Sequence, residues 1–110
     1  MFLAKVIGSV WSSVKWPELG GLKLLLVRPY SLADLGGAVA APAPTHDGVV
    51  CADVLGAGVG EDVVIAYGHA ARVGVSELLP DGARPNVPID AAVVAIVDRF
   101  AVTESGTRDV

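Results

Sequence analysis

The chain has 110 residues, enough for one compact domain that can bury a core without disulfides or metal, and too few for separate cofactor and substrate domains. Hydrophobic residues make up 53% and charged residues 18%, which excludes disorder. The net charge of −4 argues against a binder of phosphate backbones, which would need a basic face. A single cysteine excludes a disulfide framework within the chain and a cysteine-based zinc site.

Residues 3–15 read as a strand, with Val6, Val10 and Val14 on one side together with Gly8 and Ser12. Lys5, Ser9, Ser13 and Lys15 fall on the other, with Ile7 and Trp11. Pro17 and Gly20-Gly21 break the chain. Residues 23–27, Lys-Leu-Leu-Leu-Val, form a short apolar run closed by Arg28-Pro29 and fit a strand covered on both faces. Residues 31–47 hold Gly36-Gly37 and an Ala-Pro run, the composition of a surface loop. A third strand is expected over 49–54 and a fourth over 62–67, joined by the glycine-rich turn at 56–60. Residues 69–79 tolerate one or two turns of helix. Residues 80–88 read as loop, and a last strand is expected over 91–102, with Val94, Ile96, Phe100 and Val102 on one side. Residues 103–110 read as a frayed tail. Five short strands, glycine-rich turns and at most one short helix predict an all-β fold, a small barrel or sandwich occupying residues 1–102 as a single domain.

The aromatic share is only 5%, so the apolar mass is Val, Ala and Leu; mean hydropathy is +0.59. So few charges cannot coat a small domain thoroughly, which points to apolar surface placed in a subunit interface. The N-terminus lacks the pattern of a secretion signal, and every apolar run is interrupted before membrane-spanning length. A cytoplasmic oligomer with no membrane partner is the expectation.

Several motifs invite chemistry that the surrounding residues do not sustain. Gly56-Ala-Gly-Val-Gly-Glu61 begins like a dinucleotide fingerprint. That motif needs glycine at the sixth position and a helix after it; here Glu61 and a strand follow. The plain alternatives are a hairpin connection whose glycines permit positive φ, or small residues that let another protein's backbone approach. His46 and His69 stand far apart, without metal-ligand spacing. A triad of Cys51, His69 and Asp90 would need a reactive thiol, yet Cys51 lies in an apolar strand where thiols are inert. Trp11 and Trp16, with Lys5, Lys15 and Lys23 nearby, would suit stacking on single-stranded nucleic acid in an OB-type barrel; the acidic balance opposes it. Arg72 and Asp90 are candidates for an ion pair between subunits. No enzyme, cofactor or metal is expected.

The order of five segments carries a resemblance. Leu3-Ala-Lys-Val-Ile-Gly-Ser-Val-Trp11, Gly21-Leu-Lys-Leu-Leu-Leu-Val-Arg28, Ala52-Asp-Val-Leu-Gly-Ala-Gly-Val-Gly-Glu61, Gly68-His-Ala-Ala-Arg72 and Pro88-Ile-Asp-Ala-Ala-Val-Val-Ala-Ile-Val-Asp98 resemble, in register from about residue 1 to 100, the EutN/CcmL family. These are pentameric vertex proteins of bacterial microcompartment shells, in carboxysomes and catabolic metabolosomes. The resemblance implies a five-stranded OB-like β-barrel and a non-enzymatic structural role. It implies a homopentamer closing the vertices of an icosahedral shell, with hexameric and trimeric shell proteins tiling the facets. It also implies that Gly56, Ala57, Gly58, Val59, Gly60 and Glu61 meet neighbouring tiles, with Glu61 offering a charge. His69, Arg72 and Asp90 would then lie at the subunit boundary. His69 stands where the family more often has Ser and is expected to replace a hydrogen-bonding group. The 31–47 loop is longer than usual, and the tail lacks the family's further strand.

Overall fold

The computed structural model describes residues 1–15, 17–31, 48–78 and 88–102. The expected 103–110 tail, nearly all of the 31–47 loop, and most of the 80–88 loop lie outside them, as do Trp16 and His46. Five strands appear: β1 (Phe2–Val10), β2 (Lys23–Pro29), β3 (Val49–Asp53), β4 (Asp62–Tyr67) and β5 (Ala91–Val97). They close into a barrel in the order β1-β2-β3-β5-β4. Every pairing is antiparallel except β3 with β5, which are parallel and meet at the single aligned pair Ala52 and Ala92. A 3₁₀ turn (Pro17–Leu19) precedes β2, and one helix, α1 (His69–Leu78), links β4 to β5. This is the small all-β barrel with one short helix that the sequence predicts.

Small and branched aliphatic residues fill the interior. Ala4 and Val6 of β1, Leu25 and Val27 of β2, Cys51 of β3, Val63 and Ile65 of β4, and Ala91 and Val93 of β5 form one buried cluster. Their alternation is the period-two pattern of strands with one face inward. A second cluster lies outside the barrel wall. Ala71 and Val75, four residues apart on one face of α1, pack on Ala52 and Ala92 with Ile89, and Leu19, Leu22, Leu24 and Val54 edge the group. Alanine at 52 and 92 leaves room for the helix to lie close to the sheet.

The structure corrects several boundaries. β1 stops at Val10, which pairs with Leu24, next to the first residue of β2. The alternation continues through Val14, but among the described residues no strand pairs with it there, and Val14 is 91% exposed. Val6 and Val10 do not share a face. Ile7 falls unpaired between Val6–Val27 and Gly8–Leu26, a bulge that reverses the alternation. A second register break leaves Val94 unpaired between Ile65–Val93 and Val64–Ala95. Val94 and Ile96 therefore part company, Ile96 packing on the interior cluster and Val94 lying against Gly74 of α1. β5 ends at Val97, so Phe100 and Val102 are outside it, and β3 ends at Asp53, one residue early. The helix has 10 residues, nearly three turns, because Ala71 and Val75 find a covered surface on the barrel.

Candidate functional site

The glycine-rich connection between β3 and β4 is a fixed loop built around one buried carboxylate. Asp53, the last residue of β3, is 3% exposed. The Leu55 N–H donates to its Oδ1 at 3.0 Å, and the Gly56 and Ala57 N–H groups donate to Oδ2 at 3.1 and 2.8 Å. Lys23 Nζ lies 3.6 Å from the same Oδ2 and also donates to the Ala57 carbonyl. An aspartate that accepts from backbone N–H groups two to four residues ahead is an extended Asx turn, and it sets the path of the chain out of the strand.

Ala57 then anchors the loop from below, fully buried in the barrel cluster. Beyond it the chain turns back on a second carboxylate: Gly58 N–H donates to Glu61 Oε1 at 2.7 Å, and Glu61 N–H donates to the Gly58 carbonyl at 3.1 Å. Two bonds then tie the loop to β1. Gly60 N–H donates to the Val6 carbonyl at 2.8 Å, and Val6 N–H donates to the Glu61 carbonyl at 2.9 Å. Lys5 Nζ adds a bond to the Gly60 carbonyl at 3.3 Å and an ion pair with Asp62 at 3.5 Å. The Tyr30 hydroxyl donates to the same Asp62 oxygen. Burial, reinforced by this bond, raises the Tyr30 pKa, and the Tyr30 hydroxyl and then Asp62 raise that of Lys5.

Gly56 and Gly60 have φ of +90° and +93°, in the region that disfavours a side chain. Gly58 differs. Its φ is ordinary, and a Cβ there would meet only Glu61 Oε1 at 3.8 Å. The fold itself does not require glycine at 58. Around it the loop presents Val59, 67% exposed, and the partly exposed Leu55.

His69, Arg72 and Asp90 gather at the other end of β4. Gly68, at φ +69°, turns the chain into α1, and its N–H donates to the Asp90 carbonyl at 2.8 Å. Arg72 Nη1 points to the Ile89 carbonyl at 3.5 Å. The two segments are thus held together within one subunit, with His69 and Asp90 exposed and Arg72 half-buried. Among the described residues Arg72 and Asp90 make no ion pair with each other. The 56–61 loop and this cluster flank opposite ends of the six-residue β4, roughly 20 Å apart along the strand.

Cys51 points into the interior, and burial, with a smaller push from the Asp53 charge, raises its thiol pKa to about 11. It is no nucleophile. His69 faces outward, so the Cys51–His69–Asp90 triad is not assembled. Among the described residues no three His, Cys, Asp or Glu side chains group so as to hold a metal. Sequence reasoning missed Asp53, Lys23 and the Tyr30–Asp62 contact. The one signal available was Asp53 followed by Gly56, an aspartate placed to cap the turn.

The described residues form a five-strand barrel whose exposed, glycine-rich β3–β4 loop is held in place by two carboxylates. The chain belongs to the EutN/CcmL family, described as ethanolamine utilisation protein EutN/carboxysome, whose model matches residues 1–98. It is 48% identical over 101 residues to the bacterial microcompartment shell vertex protein PduN of Salmonella typhimurium, covering 92% of this chain and 99% of that one. It is 41% identical over 102 residues to the carboxysome shell vertex protein CcmL of Synechocystis sp., covering 93% and 87%. Among solved structures, the GrpN pentameric microcompartment shell protein from Rhodospirillum rubrum superposes with a TM-score of 0.68 at 36% identity, covering 94% of this chain and all of that one.

Proposed function

We propose that this protein is a structural vertex subunit of a bacterial microcompartment shell, not an enzyme. Five copies form a closed ring that caps a shell vertex in the cytoplasm. The observation that carries this reading is near-complete, in-register similarity to proteins named as shell vertex proteins. Hexameric and trimeric shell proteins are its neighbours in the shell. The 56–61 loop is the surface that meets them: it is exposed, held by Asp53 and Glu61, and carries a glycine at 58 that the subunit's own fold does not demand. His69, Arg72 and Asp90, at the far end of β4, lie at the boundary between subunits of the ring.

Native mass spectrometry across a dilution series tests the ring. A persistent species at five times the 11.2 kDa subunit mass is expected. A monomer, or a species that shifts on adding single-stranded nucleic acid, overturns the reading. Co-expression with a hexameric shell protein tests the loop. Gly58→Trp should keep the pentamer yet fail to close shells; normal capping by this variant removes the loop from the contact.

A further inference from the structure

Glycine at 56, 58 and 60 gives the β3–β4 loop unusual conformational freedom to lose on ordering. Two lysines from strands that do not flank the loop act against that freedom, and they do so in matching ways. The register sets Lys23 of β2 opposite Asp53, the last residue of β3, and Lys5 of β1 opposite Asp62, the first residue of β4. A cross-strand ion pair needs only the two side chains. Here each ammonium also reaches a main-chain carbonyl inside the loop. Lys23 Nζ lies 3.6 Å from Asp53 Oδ2 and donates to the Ala57 carbonyl. Lys5 Nζ lies 3.5 Å from Asp62 Oδ1 and donates to the Gly60 carbonyl at 3.3 Å. The two carbonyls bracket Gly58 and the exposed Val59.

The two pins differ in strength. The Asp53 side chain is fully buried, so its attraction for Lys23 is less screened by salt than that of a surface pair. Lys5 and Asp62 are both partly exposed, and such a pair is worth little alone. Tyr30 supports it. The Tyr30 hydroxyl donates to the same Asp62 oxygen, and Tyr30, then Asp62, favour the charged form of Lys5. Arg28 lies over the Tyr30 ring at 5.6 Å and Phe100 stands beside it at 6.2 Å, so the ring itself is held. On this side the main-chain bonds between the loop and Val6 share the work.

We infer that Lys5 and Lys23 are positioning residues for the docking loop, pinning its two sides to β1 and β2 and so fixing where the main chain at 58 and 59 sits relative to the barrel. Asp53 and Glu61 shape the loop from within; the lysines tie that shape to the rest of the subunit. A loop fixed before contact loses less entropy on docking. The part played in docking rests on the reading above that the 56–61 loop meets neighbouring shell proteins.

Lys23→Met and Lys5→Met test it, since each keeps an apolar stem and removes the charge. Both variants should stay pentameric. Amide hydrogen exchange should rise about three- to tenfold at Ala57 in Lys23→Met, and by a smaller factor at Gly60 in Lys5→Met, with Val27 and Ile65 unchanged. Co-expressed with a hexameric shell protein, the double Met variant should leave more shells open than wild type, and the double Arg variant, which restores both charges, should close them. Unchanged exchange at both amides overturns the inference, and so does normal closure by a double Met variant whose loop exchanges faster. Should Lys23→Met lose its fold, Lys5→Met decides through exchange at Gly60, because its ion pair is partly exposed on both sides. Normal capping by Gly58→Trp refutes the loop contact, and with it the lysines' part in docking, while the exchange measurement still decides the pinning.

Discussion

Replacing Asp53 by alanine removes the acceptor for three backbone N–H groups and the partner of Lys23. The losses are unequal. The Ala57 N–H is buried, and leaving it without an acceptor costs about 1–3 kcal/mol. The Leu55 and Gly56 N–H groups lie nearer solvent and can turn to water, so each loses on the order of 0.5–1 kcal/mol. Lys23 is 47% exposed, which limits its share to below about 1 kcal/mol. The sum is about 2–6 kcal/mol, a large part of the ~5–15 kcal/mol that holds a domain folded. Urea unfolding at fixed subunit concentration should show the midpoint falling by on the order of 1–2 M. Hydrogen exchange at Ala57 should accelerate more than exchange at Val27 or Ile65 in the barrel, since the loop loosens first. Asp53→Asn keeps one carbonyl oxygen and should lose less than alanine does. Stability of Asp53→Ala within about 0.5 kcal/mol of wild type, with Ala57 still protected, would refute the claim that this carboxylate organises the loop.

Gly60→Ala should destabilise by about 1–2 kcal/mol, because φ of +93° forces a Cβ into the left-handed region, while Gly58→Ala should stay within about 0.5 kcal/mol; paired thermal melts check the difference. Arg72→Glu should weaken the pentamer, read as dissociation on dilution to micromolar subunit; unchanged assembly there removes Arg72 from the boundary. Cys51 should resist thiol reagents at pH 8, where a pKa of about 11 leaves roughly one thiol in a thousand ionised, and should label at the free-thiol rate in denaturant. The sign of its linkage to stability follows from the same shift. The unfolded thiol ionises first, so the contribution is complete below the unfolded pKa and falls as pH rises from there toward 11.

Strand identity was legible because Val, Ile and Leu alternate or run together between glycine and proline breaks, and residues 62–67 match β4 from end to end. Strand ends were less legible, since a strand lasts only as long as its partner. Val14 continues the alternation of β1, but β2 starts at Lys23 and offers it nothing to pair with. The bulges at Ile7 and Val94 were invisible for a related reason. A bulge is a mismatch in length between two strands, and no single strand carries that information. Within the loop, the glycines announced themselves by type, whereas Asp53 looked like an ordinary polar residue closing a strand. Its role depends on three N–H groups converging on one carboxylate, a matter of placement rather than composition.

That placement also changes how the loop can act. Glu61 reads in sequence as a charge held out to a neighbour; it is exposed, and its Oε1 also accepts the Gly58 N–H at 2.7 Å and closes the turn. Asp53 is likewise spent on the loop's own backbone and on Lys23. The two carboxylates thus fix the loop's shape, and its exposed apolar side chains are Leu55 and Val59. The contact proposed for this loop is therefore one of close backbone approach and apolar fit, in which rigidity before contact lowers the entropy lost on docking. The glycines divide the work accordingly: 56 and 60 make the turn possible, whereas 58 has room for a side chain, so only the proposed contact would require glycine there.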